Sequence, residues 1–125
     1  MGTILNRRRV LRRGLIIQAD GRITLRSLPV TRLQLSPGDG ISFWLDAGQL
    51  YLFKDNVSES ALKLSGRSGQ LHCCSKATVT NILSVIPGIT ETDMPPKLEL
   101  ITSQELSHIT IDGSTLPAVK VINRL

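Results

Sequence analysis

Aromatic side chains are scarce in this 125-residue chain: two phenylalanines, one tryptophan and one tyrosine. All four (Phe43, Trp44, Tyr51 and Phe53) fall within one stretch, so the core has to be built from Leu, Ile and Val. Cysteine is scarcer still. Cys73 and Cys74 are adjacent, which suits neither a disulfide framework nor the spaced pairs of a zinc site. On a strand one of them faces inward and the other outward, as inert thiols of a reducing cytosol. His72 and His108 stand far apart with no His-Glu-x-x-His or paired-Cys motif near them, and nothing pairs a nucleophile with a base. The expectation is a protein that is not an enzyme, with no metal and no cofactor.

Long apolar runs are missing too. None approaches the roughly 20 residues that span a bilayer, so the chain reads as soluble and cytoplasmic, with no membrane partner. Leu15 to Ile17, behind the N-terminal arginines, is too short for the apolar part of a signal peptide, and no small-residue cleavage site follows. Asn6 stands where myristoylation after Met1-Gly2 would want Ser or Thr.

What the chain does have is a lopsided charge. Residues 1–32 carry eight arginines (Arg7, Arg8, Arg9, Arg12, Arg13, Arg22, Arg26 and Arg32) against one acid, Asp20, whereas residues 33–125 carry seven basic and nine acidic residues. The net charge is +5. A block of fixed positive charge gains affinity for a polyanion by releasing condensed counterions, and arginine pairs bidentately with phosphate or guanine. Nucleic acid is the partner this pattern favours. The plainer readings are a solvated tail or a contact with an acidic protein.

Turn residues divide the rest into short elements. Leu15-Ile16-Ile17, a turn at Ala19-Asp20-Gly21, and the alternation of Ile23 and Leu25 with Thr24 and Arg26 predict a β-hairpin. Pro29 suits the first turn of a short helix through Val30, Arg32 and Leu33, with Pro37-Gly38 breaking it. Ile41, Phe43 and Leu45 then alternate into a strand, Asp46-Ala47-Gly48 turns the chain, and Leu50, Leu52 and Phe53 return it. Beyond the polar stretch 55–60 the order recurs. A strand around Leu62 to Leu64, a turn at Gly66-Arg67-Ser68-Gly69 and a strand through Leu71 and Cys73 precede a helix capped by Ser75, with Val79, Ile82, Leu83 and Ile86 on one face. Pro87-Gly88 ends that helix, and strands near 98–101, 109–111 and 119–122 complete the chain. The fold class expected is mainly β with two short helices: a basic arm over 1–13, then a single β-barrel domain over 14–125 made of two strand-turn-strand-helix-strand halves, 14–54 and 61–125. An offset of 48 superposes Gly21 on Gly69, Ser27 on Ser75, Leu35 on Leu83 and Ser36 on Ser84, and together with the shared order of elements it points to an internal repeat.

Gly21-Arg22-Ile23-Thr24-Leu25, Leu33-x-Leu35-x-Pro37-Gly38-Asp39, Ile41-x-Phe43 and Leu50-x-Leu52-x-Lys54 resemble the AbrB/MazE-type swapped-hairpin family over residues 14–54, with a degenerate second copy over 61–104. The resemblance implies a DNA-binding transcriptional regulator or antitoxin-like protein, in which two interleaved halves close one barrel and dimers bind DNA. Arg22 matches the family's DNA-contacting arginine. Arg12 and Arg13 lead into the first strand, and Arg26 and Arg32 are basic neighbours. Arg26 stands where the family usually has proline, and Val30 and Thr31 stand where its helix carries basic residues. Gln70 and His72 replace Arg22 and Thr24 in the second copy, so a symmetric DNA-reading face needs a homodimer, unless the arm acts as a sequence-blind clamp. Leu33-Gln34-Leu35-Ser36-Pro37-Gly38-Asp39 also resembles the surface-presentation domain of flagellar-switch and type III secretion proteins, which implies a non-enzymatic adaptor with a protein partner.

Two further stretches read as structural. Gly66 to Gly69 lacks the Lys-Ser/Thr of a phosphate loop and precedes a strand, so it is a turn. The Asp39 carboxylate is placed to cap backbone N–H groups of its turn. Trp44, on the strand face opposite Phe43, is the candidate interface residue for oligomerisation or a protein partner.

Overall fold

The computed structural model describes residues 14–26, 28–67, 69–86, 97–103 and 105–122. Gly21, at φ +103°, turns β1 (Leu15–Gln18) back onto β2 (Arg22–Arg26), with its N–H on the Gln18 carbonyl at 2.9 Å. The helix α1 (Leu28–Arg32) follows. It stops before Pro37-Gly38: Gln34 adopts φ +54°, and the N–H of Leu35 reaches back to the Val30 carbonyl at 2.9 Å, closing the helix end in the left-handed manner. Pro37-Gly38 instead begins the next edge, where the Gly38 N–H bonds the Leu64 carbonyl.

The strands β3 (Gly40–Asp46) and β4 (Gln49–Lys54) form a hairpin whose two-residue loop, Ala47 at φ +50° and Gly48 at φ +79°, matches the twist of the flanking strands. The chain then enters β5 (Leu62–Lys63) and β6 (Ser65–Arg67), turns, and returns as β7 (Gln70–Cys74). The expected turn at 66–69 is therefore shorter. Gly66 and Arg67 belong to the strand, paired with Leu71 and Gln70.

Ser75 accepts the Thr78 N–H at 3.2 Å through its hydroxyl and so caps α2 (Lys76–Val85), which buries Val79, Ile82 and Leu83. The strands β8 (Lys97–Thr102), β9 (Ser107–Ile111) and β10 (Ser114–Ile122) follow. β9 and β10 form another two-residue hairpin, with Asp112 at φ +50° and Gly113 at φ +81°. Pro117 is tolerated inside β10 because β4 pairs only from Ala118 onward, leaving no partner for the N–H that proline lacks.

Neighbouring strands run β5-β3-β4-β10-β8-β1-β2-β7-β6, every pair antiparallel, with β9 added beside β10. Since β5 and β6 are successive pieces of one segment, the sheet returns almost onto itself as a nearly closed β-barrel. Its interior is aliphatic: Leu15, Ile17, Ile23, Leu25, Ile41, Leu52, Leu71, Leu98, Leu100 and Val119 are fully or almost fully buried, and Val30, Leu33 and Leu35 from the α1 segment join the α2 face among them. Phe53, Ile109 and Ala118 make a second cluster, against which Trp44 and Tyr51 pack. Among the described residues, no helix is long and apolar enough to cross a membrane.

Candidate nucleic-acid interface

Strand alternation sets the placement of the described arginines. With Ile23 and Leu25 pointing into the core, Arg22, Thr24 and Arg26 share the outer face of β2. The β2–β7 register sets Arg22 opposite Cys74, Thr24 opposite His72 and Arg26 opposite Gln70. The β6–β7 register then sets Arg67 opposite Gln70. Arg26, Gln70 and Arg67 thus form one transverse row, with two cations separated by about two strand spacings, roughly 10 Å. Arg22 stands about 13 Å along β2 from Arg26, at about 3.3 Å per residue.

All three arginines are exposed, and β2, β6 and β7 contain no acidic residue. The middle row is different: Thr24 is buried and His72 half-buried, so the open parts of this face are its two ends. Lys76, at the start of α2, follows closely after Cys74, and Lys97 pairs with Gln18, so both lysines stand at the Arg22 end. The turn that presents Arg22 is rigidly held. Asp20 Oδ1 accepts the Arg22 N–H at 3.0 Å, and the Gly21 carbonyl accepts the Ser75 N–H at 2.8 Å. A Cβ on Gly21 would lie 2.8 Å from the Lys76 nitrogen, so only glycine lets the hairpin sit on the helix start.

Of the residues singled out from sequence, Arg22 and Arg26 share this face. Arg32 stands exposed in the last turn of α1, off the sheet. Arg7, Arg8, Arg9, Arg12 and Arg13 lie outside the described residues. Trp44 belongs to β3, five places from β2 in the strand order, and is half-buried against the second cluster. Arg67 was missed because the two glycines around it read as a turn. The signal that finds it is period two: counted back from Gln70 across a two-residue turn, position 67 pairs with it and shares its face.

The other polar groups have structural work. Ser36 donates its N–H to Asp39 Oδ2 at 2.8 Å, and this bond, with help from Asn56 and Lys54, holds the Asp39 carboxyl below its usual range. Burial pushes the Asp55 carboxyl up. Its bonds from Ser42 Oγ at 2.6 Å and from the N–H groups of Ser58 and Val57, each at 3.0 Å, outweigh that and bring it down to about 2. Cys73 faces inward, its thiol pushed up to about 11 by burial and by Cys74, which is exposed; both are free thiols. No group of three or more His, Cys, Asp or Glu among the described residues could hold a metal ion.

No protein-family model, curated protein or solved structure matches this chain.

Proposed function

We propose that this protein binds nucleic acid, as a DNA-binding regulator or antitoxin-like protein of the AbrB/MazE swapped-hairpin kind in which a single chain supplies both interleaved halves. The observation that carries the binding reading is the acid-free outer face of β2, β7 and β6, with Arg22, Arg26 and Arg67 in register on it. Three guanidiniums at roughly 10–13 Å reach several phosphates of a strand that advances about 3.4 Å per nucleotide.

The strand pairings support the interleaved reading. Hairpin β1–β2 has its counterpart in β6–β7, hairpin β3–β4 in β8–β10, and the pairing of β1 with β8 in that of β3 with β5. The pairs β2–β7 and β4–β10 each join an element to its own counterpart. Under the sequence offset of 48, Thr24 opposite His72 is its own image, and Arg22 opposite Cys74 maps onto Gln70 opposite Arg26. A pseudo-two-fold axis between Thr24 and His72 accounts for these equivalences. The face it relates is chemically unequal, because glutamine and cysteine replace two arginines. Binding by one chain is therefore dominated by phosphate contacts, and sequence reading calls for two chains, a homodimer of whole barrels. The arm arginines Arg7, Arg8, Arg9, Arg12 and Arg13 add a sequence-blind clamp in this reading.

The test is anisotropy of a labelled duplex over a salt series. Changing Arg22, Arg26 and Arg67 together to Gln lowers affinity and reduces the slope of log K against log salt by about 2.7, at about 0.9 for each phosphate no longer neutralised. Changing the five arm arginines to Gln reduces the slope independently. Failure of the unaltered protein to bind duplex DNA at about 50 mM salt ends this reading.

A further inference from the structure

The barrel is incompletely sewn at one seam. β3 pairs with β4 along its whole length, but with β5 only at Gly40 and Ile41, whereas β1 pairs with β8 over four residues. Among the described residues, the stretch from Ser42 to Asp46 therefore has a bare edge.

The register says which groups lie on that edge. Asp46 and Gln49 close the two-residue turn, and at the other end of the hairpin the Asp55 N–H donates to the Gly40 carbonyl at 2.8 Å. Alternation between those points turns the N–H and C=O of Ser42, Trp44 and Asp46 toward β4, and those of Phe43 and Leu45 away from it. Among the described residues, four main-chain groups are left at the seam without a strand partner.

Helix α2 stands across from them. A groove of about 570 Å³, within the usual range for ligand sites, runs between Ser42–Leu45 and the α2 residues Thr78, Asn81, Ile82 and Val85. Its walls are mainly apolar, and among the described residues the one charged residue lining it is Asp55, buried beside Ser42. Trp44 also lines it, and its buried indole Nε1–H has no acceptor among the described residues.

We propose that this slot accepts an extended peptide segment of a partner protein as an added strand, bonded to Phe43 and Leu45, with alternate apolar side chains against α2 and a basic residue at the end nearest Asp55. Unpaired N–H and C=O groups on a strand edge are a template for strand addition. The five open residues match about 16 Å of extended chain. The acidic end selects a cation and disfavours the phosphates of nucleic acid, so the slot is distinct from the arginine face and does not depend on it.

The test uses the full chain and a fluorescein-labelled hexapeptide, Lys-Val-Thr-Val-Thr-Val, read by polarisation and by the emission of Trp44, the only tryptophan. Saturable binding below about 1 mM is expected, with a shift in Trp44 emission. Replacing the peptide's Lys by Glu weakens binding about tenfold or more, because a carboxylate then meets Asp55. N-methylation of its central valine and threonine abolishes binding. So does Asn81→Trp, which fills the groove from an exposed helix position and leaves the circular dichroism and the DNA affinity unchanged. Absence of saturable binding, equal affinity for the Lys and Glu peptides, or indifference to N-methylation overturns the proposal. Competition by duplex DNA, or a self-association that Asn81→Trp abolishes, overturns it by naming a different occupant.

Discussion

Asp55 ties the end of the β3–β4 hairpin to the loop that follows, and its removal has a calculable signature. Its carboxylate accepts Ser42 Oγ and the N–H groups of Val57 and Ser58, which lowers its pKa from 3.8 to about 2. A group with a depressed folded-state pKa stabilises the fold above its unfolded value and stops doing so as pH falls through the folded value. Linkage puts the loss at about 1 kcal/mol by pH 3 and about 2 kcal/mol by pH 2. In Asp55→Asn this part of the pH dependence disappears. Urea denaturation at pH 7, 3 and 2, with matched m-values, reads it directly. The difference between the two proteins shrinks by about 2 kcal/mol between pH 7 and pH 2. A difference that stays constant over that range refutes the argument, because the carboxylate would then contribute nothing through its charge.

Other perturbations follow from the same geometry. Ser75→Ala removes the cap of α2 and costs about 1 kcal/mol in denaturant titration. Leu52→Ala, at a position fully buried in the main core, costs about 2–5 kcal/mol by the same measurement. Gly21→Ala lowers the melting temperature more than Gly69→Ala, since both have positive φ but only Gly21 would press a Cβ against the backbone at Lys76. A thiol reagent at neutral pH labels Cys74 at once and Cys73 only on unfolding, because Cys73 is buried with its thiol at about 11.

Much of the fold was legible because its punctuation is local. Asp20-Gly21, Ala47-Gly48 and Ser75 act within a few residues of themselves, and the hairpins and the helix cap form where those residues predict. The aliphatic core follows from the scarcity of aromatics, and Phe43 and Trp44 face opposite sides of β3, toward the main core and the second cluster respectively. Features that depend on distant pairing were hidden. The end of α1 is set by left-handed Gln34 rather than by Pro37, an identity with no strong preference for that conformation. Arg67 joins Arg26 only through the meeting of β2 with β7, which are about fifty residues apart. The groove beside β3 exists because β5 is two residues long, and no local pattern at Leu62-Lys63 says so.

Under the proposed function, the outer face of β2, β7 and β6 is the surface that meets nucleic acid. Isotope-labelled protein titrated with a short duplex, followed through backbone amides and arginine Nε–H signals, tests this residue by residue. Shifts concentrated at Arg22, Arg26, Arg67 and Gln70, with β3 and β4 unmoved, are the expected result. Shifts confined to β3, β4 and α2, or none anywhere on β2 and β6, contradict it.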